Sequence, residues 1–320
     1  MPVNADKVHR WKEDIALSVD FYNEWFTRFA PKTYRETRVE TTRRVETALH
    51  QTENLSNIKP SVLRQNPSAL FMLRMSTAPP IARDRLIGLT GVPSSLVQTM
   101  EKFDRVPPRM ASAVLERELG KIGDMITRLA DRDIFVWLEE ARTPTATEIH
   151  RAATVVADRL CGAKADPIIR NAQEQRQLAE IKAWLEARAY RLIASGSGLK
   201  INAMQPGTFA FRLNLPVRQV GRTETVNIPA DVVIMPRDVA PGDFPLLIEA
   251  KSAGDFTNTN KRRKEEATKI VQLRATYGPN VRFVLFLCGY FDSGYLGYEA
   301  AEGIDWVWEH RIDDLAEFGL

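Results

Sequence analysis

Apolar residues recur at helical intervals through the first half of the chain. Between 6 and 29, Trp11, Ile15, Val19, Phe21, Tyr22, Trp25 and Phe29 fall near the 3.6-residue period and predict an amphipathic helix. Pro31 removes an amide donor, so that helix is expected to stop there and a second to run over 33–51. The stretch RMASAVLERELGKIGDMITRLADRDIFVWLEEAR (109–141) predicts one or two more helices, and 145–161 another. At GAKADP the pattern breaks, and a strongly periodic helix follows over 167–190. Beyond Gly196 the residues become strand formers, in TFAFRLNLPVRQ, TETVNIPADVVIMP, FPLLIEAK and RFVLFLCGYF. A helix over 258–276 separates the last two, with IDWVWEH as a further strand and RIDDLAEF as a closing helix.

Strands interleaved with helices predict an α/β core with a mixed sheet. Behind an all-helical N-terminal region, the whole chain reads as α+β. The boundary is expected near 165, giving a helical domain over 1–165, for DNA recognition or dimerisation, and a sheet domain over 166–320. The composition, 44% hydrophobic and 27% charged, suits two buried cores, and a net charge of +3 does not by itself announce a polyanionic partner. Two distant cysteines, Cys161 and Cys288, exclude a zinc ribbon and suit a reducing compartment. The N-terminus lacks the apolar centre of a signal peptide, and no run approaches the roughly 20 apolar residues that span a bilayer. The expectation is a soluble cytoplasmic protein.

The chemistry concentrates in IPADVVIMPRDVAPGDFPLLIEAKS. Asp231 is expected to open one strand, and Glu249-Ala250-Lys251 to close the next. Residues i and i+2 of a strand share a face, so Glu249 and Lys251 project together and a neighbouring strand can bring Asp231 beside them. Charged groups ending apolar runs are costly to bury unpaired. A divalent cation would relieve that cost: two carboxylates and the Ala250 carbonyl are hard oxygen donors suited to Mg²⁺, which keeps waters and accepts phosphate oxygens. Lys251 would then face the attacking water or the phosphate. The alternative is an Asp–Lys–Glu ion-pair group at strand ends; the preceding Asp and the two-strand context favour a site.

Pro229-Ala230-Asp231 followed by Glu249-Ala250-Lys251 resembles the PD-(D/E)xK nuclease motif, with an alanine between the Pro and the Asp. RNAQEQRQLAEIKAWLEAR, IEAKSAGDFTNTNKRRKEEATKI, FLCGYFDSGYLGYEA and GIDWVWEHRIDDL resemble the XamI family of type II restriction endonucleases. The likeness is specific in the C-terminal half and less distinctive before it. It implies a Mg²⁺-dependent homodimer that cuts a short palindrome in double-stranded DNA, with GTCGAC as the suggested site, leaving 5′-phosphate ends. It also implies a cognate DNA methyltransferase acting on the same site. Such nucleases often draw a third acidic ligand from the helix before the sheet. Glu174 continues the inward stripe of Leu178, Ile181 and Leu185, whereas Glu180 lies about 200° from Leu178 at roughly 100° per residue. Glu174 is therefore the candidate, against a carboxylate that merely complements the helix dipole.

Lys261, Arg262, Arg263 and Lys264 open the helix after the Glu-x-Lys strand. With Asn258 and Asn260 they are candidates for phosphate contacts, although four successive cations wrap around a helix and a solvated face is the alternative. Residues 81–103 loosely resemble a helix-turn-helix, against an ordinary helical hairpin. His9, His50, His150 and His310 stand apart from one another and read as structural. Two other functions stay open on the residues alone: a structure-specific repair or junction nuclease, and a non-catalytic DNA-binding regulator.

Overall fold

The molecule is represented by a computed structural model that describes residues 2–194, 199–218, 225–240, 243–257 and 259–320, with the backbone alone at 259–262. In chain order the helices are α1 (Trp11–Gln51), α2 (Pro60–Gln65), α3 (Ala69–Met75), α4 (Arg83–Thr90), α5 (Ser94–Phe103), α6 (Ser112–Leu129), α7 (Trp137–Glu140) and α8 (Ala146–Ala187). Then come β1 (Arg191–Leu192), β2 (Thr208–Arg218), β3 (Thr225–Met235), β4 (Leu246–Ala253), α9 (Thr259–Tyr277), β5 (Phe283–Gly289), α10 (Ser293–Ala301) and β6 (Asp305–Trp308). Among the described residues no helix is long and apolar enough to cross a membrane.

The chain divides into two compact units, 30–168 and the combination of 1–29 with 169–320. The sequence reading put 1–29 with the helical region; the packing puts it with the sheet. Trp11 meets Trp306 edge-on at 5.5 Å, and Ser18 Oγ accepts the Gly289 amide at 2.8 Å. The divisions fall inside α1 and α8, where breaks were expected. Pro31 lies within α1, and the GAKADP segment with Pro167 lies within α8. A helix-interior proline forfeits one backbone bond and clashes with the carbonyl four residues back, roughly 3 kcal/mol. Tertiary packing on both sides of each proline outweighs that local penalty, because most helical stability in proteins comes from the packed face.

In the 30–168 unit, Leu63, Leu70, Leu86, Leu96, Leu119 and Ile126 form one fully buried core. Residues 81–103 fold as a helical hairpin. Gly91, in the left-handed region at φ +65°, ends α4, and Leu96, Val97 and Met100 of α5 turn inward.

The sheet of the other unit has six strands in the order β1-β2-β3-β4-β5-β6. The pairs β2–β3 and β3–β4 are antiparallel, β1 runs parallel to β2, and β4, β5 and β6 are mutually parallel and joined through α9 and α10. This is an α+β architecture with a mixed sheet. On one face Ile181, Trp184 and Leu185 of α8 pack against Val232, Ile248 and Phe286. On the other, Ile270 and Leu273 of α9 and Leu296 of α10 pack against Val233, Leu247 and Leu285. Trp306 and Trp308 both belong to this second core and are fully buried, as their alternation in β6 requires. Further elements of this unit differ from expectation, β1 among them. α10 was not anticipated from its glycine-rich sequence, and Glu309–Phe318 is 3₁₀ rather than α-helical.

Gly289 ends β5 at φ +98°, and a Cβ there would stand 2.1 Å from the Ala253 carbonyl oxygen. Gly289→Ala is expected to destabilise this unit by about 2 kcal/mol or more, through strained backbone plus a clash that no flexible side chain can relieve. A urea midpoint equal to that of the parent protein would contradict this.

Candidate active site

β3 and β4 pair at Ile234–Leu246, Val233–Leu247 and Val232–Ile248, and the ladder stops there. β3 stays paired with β2 as far as Thr225, and β4 stays paired with β5 as far as Ala253. The two strands therefore part like a fork, and the first residues past the last pair are Asp231 and Glu249. Asp231 is mid-strand rather than at the strand opening. Its Oδ2 accepts the Ala250 amide at 2.9 Å. That amide lies on β4 just beyond the last β3–β4 pair, so a side chain takes the place of a ladder partner.

The same point interrupts the β2–β3 pairing without changing its register. Phe211 opposes Val232 and Leu213 opposes Ala230, leaving Arg212 beside Asp231 with φ +52°. Phe211 packs with the α8-facing core and Leu213 with the opposite one, so the alternation shifts here. A non-glycine residue held in the left-handed region is strained, and such strain gathers at functional positions.

Side-chain alternation along β4 puts Ile248 and Ala250 toward α8, and Glu249 and Lys251 toward α9. Lys251 Nζ lies 3.1 Å from Glu249 Oε1 and 3.7 Å from Glu266 Oε1 of α9. Lys269 of α9 closes the fork from the same side, with Nζ 2.5 Å from Glu249 Oε2 and 2.6 Å from the Pro229 carbonyl. The sequence reading missed both α9 residues. Their signal was legible: Glu266 and Lys269 share the helix stripe of Ile270 and Leu273, which is the buried one.

Burial, and next the charge of Glu249, push the Asp231 carboxyl up to about 6, against the Ala250 amide and the two lysines. Burial would lower Lys251, but the carboxylates of Glu249 and Glu266 overcome it and hold the ammonium above its ordinary value.

Glu174 is half-buried on α8 and Glu180 is exposed, so the inward-stripe argument separated them in the right sense. The Glu174 carboxylate is engaged by Arg212 at 2.6 Å. Among the described residues no three His, Cys, Asp or Glu side chains gather as a metal cage. Asp231 and Glu249 form a pair, and Glu174 stands apart from it with the arginine. A pair still fits Mg²⁺, which is commonly held by one or two carboxylates, its own waters and substrate phosphate oxygens.

Of the candidate phosphate contacts, Asn258 lies outside the described residues. Asn260, Lys261 and Arg262 fall in the first turns of α9, and their side chains are likewise outside the described set. Arg263 turns onto the Tyr298 ring, its guanidinium carbon 3.8 Å from the centroid, and Lys264 is exposed. His150 is exposed beside Glu46, and His310 is held neutral-leaning by burial. Cys161 and Cys288 are buried free thiols, and burial raises both.

The sequence model of the XamI restriction endonucleases matches residues 53–308 of this chain. The type II restriction enzyme SalI of Streptomyces albus G is 56% identical over 317 residues, which cover 99% of each chain. No solved structure matches it.

Proposed function

Because this chain belongs to the XamI restriction endonuclease family, we propose that it is a type II restriction endonuclease that hydrolyses both strands of DNA at the fork between β3 and β4. The observation carrying this reading is the convergence of Asp231, Glu249 and Lys251 where those strands part. Asp on one strand and Glu-x-Lys on the next is also the arrangement of a PD-(D/E)xK nuclease, the fold to which we assign the sheet.

Asp231 and Glu249, with the Ala250 carbonyl, would hold Mg²⁺, which when bound supplies charge stabilisation at the phosphate and a water of lowered pKa. Lys251 orients that water or the phosphate oxygen beside it. Water oxygen bonds to phosphorus as the bond to the 3′ oxygen breaks, leaving a 5′-phosphate and a 3′-hydroxyl. Arg212, steadied by Glu174, is placed to meet a neighbouring phosphate as a planar double donor. Lys261, Arg262 and Lys264, with Asn258 and Asn260, remain the proposed phosphate contacts of the α9 start.

The name SalI belongs to the relative, and high identity along the whole chain supports the same target, GTCGAC, for this one. A palindrome presents two equivalent bonds, so a two-fold homodimer with one centre per subunit is the economical geometry. A methyltransferase acting on the same sequence would be its functional partner, shielding host DNA in the cytoplasm.

Digestion of a plasmid of known sequence, followed by sequencing of the ends, tests the reading. The expected result is a few discrete fragments in Mg²⁺, none in a chelator, and 5′-phosphorylated termini at GTCGAC. Cutting only at junctions or flaps would instead make it a structure-specific nuclease; binding without cutting in any divalent ion would make it a regulator. Sedimentation with a short target duplex is expected to give two subunits per duplex. A single subunit making a concerted double-strand cut would contradict the dimer.

A further inference from the structure

Behind Lys251 lies a group of buried polar side chains that the proposed hydrolysis does not use. Glu266 of α9 is 2% exposed, and its Oε1 stands 3.7 Å from the Lys251 ammonium. Its Oε2 accepts from the Tyr295 hydroxyl of α10 at 2.6 Å. Glu299, one helical turn beyond Tyr295, is fully buried beside Glu266. Two carboxyl groups in one dry site cannot both be charged at low cost. Burial, and next the charge of Glu266, push Glu299 up to about 9. Glu299 is therefore the member that keeps its proton.

Among the described residues, Lys251 has one other carboxylate within 4 Å, Glu249 at 3.1 Å. Glu249 already receives Lys269 and is the residue proposed to hold the cation. A carboxylate committed to a divalent ion holds a neighbouring ammonium less firmly. Glu266 is too buried to meet DNA, and it has no such second duty.

We infer that Glu266 is a positioning residue for the reaction: its carboxylate, fixed by the Tyr295 hydroxyl, holds the Lys251 ammonium in place at the fork. The inference rests on the reading that Lys251 is the catalytic lysine. It assigns the α9–α10 pair a task beyond covering the sheet, because the hydroxyl that fixes the Glu266 carboxylate comes from α10.

The test compares Glu266→Gln, Glu299→Gln and Lys251→Ala with the parent enzyme. Single-turnover cleavage of a short target duplex is measured at saturating enzyme in Mg²⁺, and affinity for that duplex in Ca²⁺. Glu266→Gln keeps the shape but loses the charge. It is expected to slow cleavage by about 10–100-fold, the usual effect of removing an outer-shell partner, with affinity changed less than about threefold. In Glu299→Gln an amide replaces a neutral carboxyl, and the rate is expected to stay within about threefold of the parent. A role in packing alone would not produce this asymmetry between two equally buried isosteric changes. Parent-like cleavage by Glu266→Gln alongside an inactive Lys251→Ala would overturn the inference and leave the active-site reading intact. Parent-like cleavage by Lys251→Ala would overturn the reading beneath it. Equal rate losses in both glutamine variants would overturn the assignment of the charge to Glu266. Should Glu266→Gln not fold, Tyr295→Phe deletes only the hydroxyl anchor. Slower cleavage at unchanged affinity would then support the inference, and an unchanged rate would overturn it.

Discussion

Asp231→Asn and Glu249→Gln are each expected to lower plasmid cleavage in Mg²⁺ by about a thousandfold or more, with little change in affinity for the target. Each change keeps the volume and removes one of the two anionic donors at the fork, so the loss falls on charge stabilisation of the transition state. Neither residue is a general packing element, because each lies past the last β3–β4 pair. Asp231→Asn keeps an oxygen that can accept the Ala250 amide, so the strand register is expected to survive. Linear product from supercoiled plasmid, timed under single-turnover conditions, gives the rate, and circular dichroism checks the fold. Near-parent turnover by either variant would remove it from the centre.

The pH response should carry the same signature. The Asp231 carboxyl stands at about 6, raised by burial and by Glu249. Below that value it is protonated and a poorer donor, so cleavage is expected to rise with pH through this region. Proton and metal compete for one site, so more Mg²⁺ should move the inflection to lower pH. An inflection that ignores Mg²⁺ concentration would assign the titration to a group outside the metal site.

Lys251→Ala is expected to bind the target in Ca²⁺ about as tightly as the parent while losing cleavage by about 10²–10³-fold. Its ammonium lies between Glu249 and Glu266, 21% exposed, where it can serve the reacting centre but not a long stretch of backbone phosphates. An interaction made chiefly in the transition state lowers rate rather than affinity. The cations that open α9 predict the opposite pattern. Replacing Lys261, Arg262 and Lys264 by glutamine should weaken binding to target and non-target duplexes alike. The log–log salt slope should flatten by about 0.9 for each phosphate that is no longer neutralised. Arg263 is left in place because its guanidinium already lies on Tyr298. Titration at several salt concentrations separates the two roles. A parent-like salt slope in the triple variant would make these residues a solvated helix face. Weakened binding by Lys251→Ala equal to its loss of rate would make it a ground-state phosphate ligand.

The relation between sequence and structure differs from element to element, and for one recurrent reason. The sequence by itself determined the strands β2 to β6, though not the short β1, because β-branched and aromatic runs bounded by Pro, Gly and Asp leave few alternatives. It also determined that Glu249 and Lys251 share a face, since a strand's period of two admits nothing else. Family membership was legible too, being carried by residue strings rather than by shape. The periodic stripe on α8 correctly separated half-buried Glu174 from exposed Glu180, but a period reports direction and not partner. Only the tertiary structure delivered Glu174 to Arg212, a residue 38 positions away. The same holds for Pro31 and the GAKADP segment, where local penalties of a few kcal/mol pointed to breaks and packing on both sides carried the helices through. The fork at Asp231, the break in pairing at Arg212 and the approach of Glu266 and Lys269 from α9 depend on where a ladder stops and which helix covers the opening. Those are long-range hydrogen-bonding and burial outcomes, set by the balance of the whole sheet, and no local window of residues contains them.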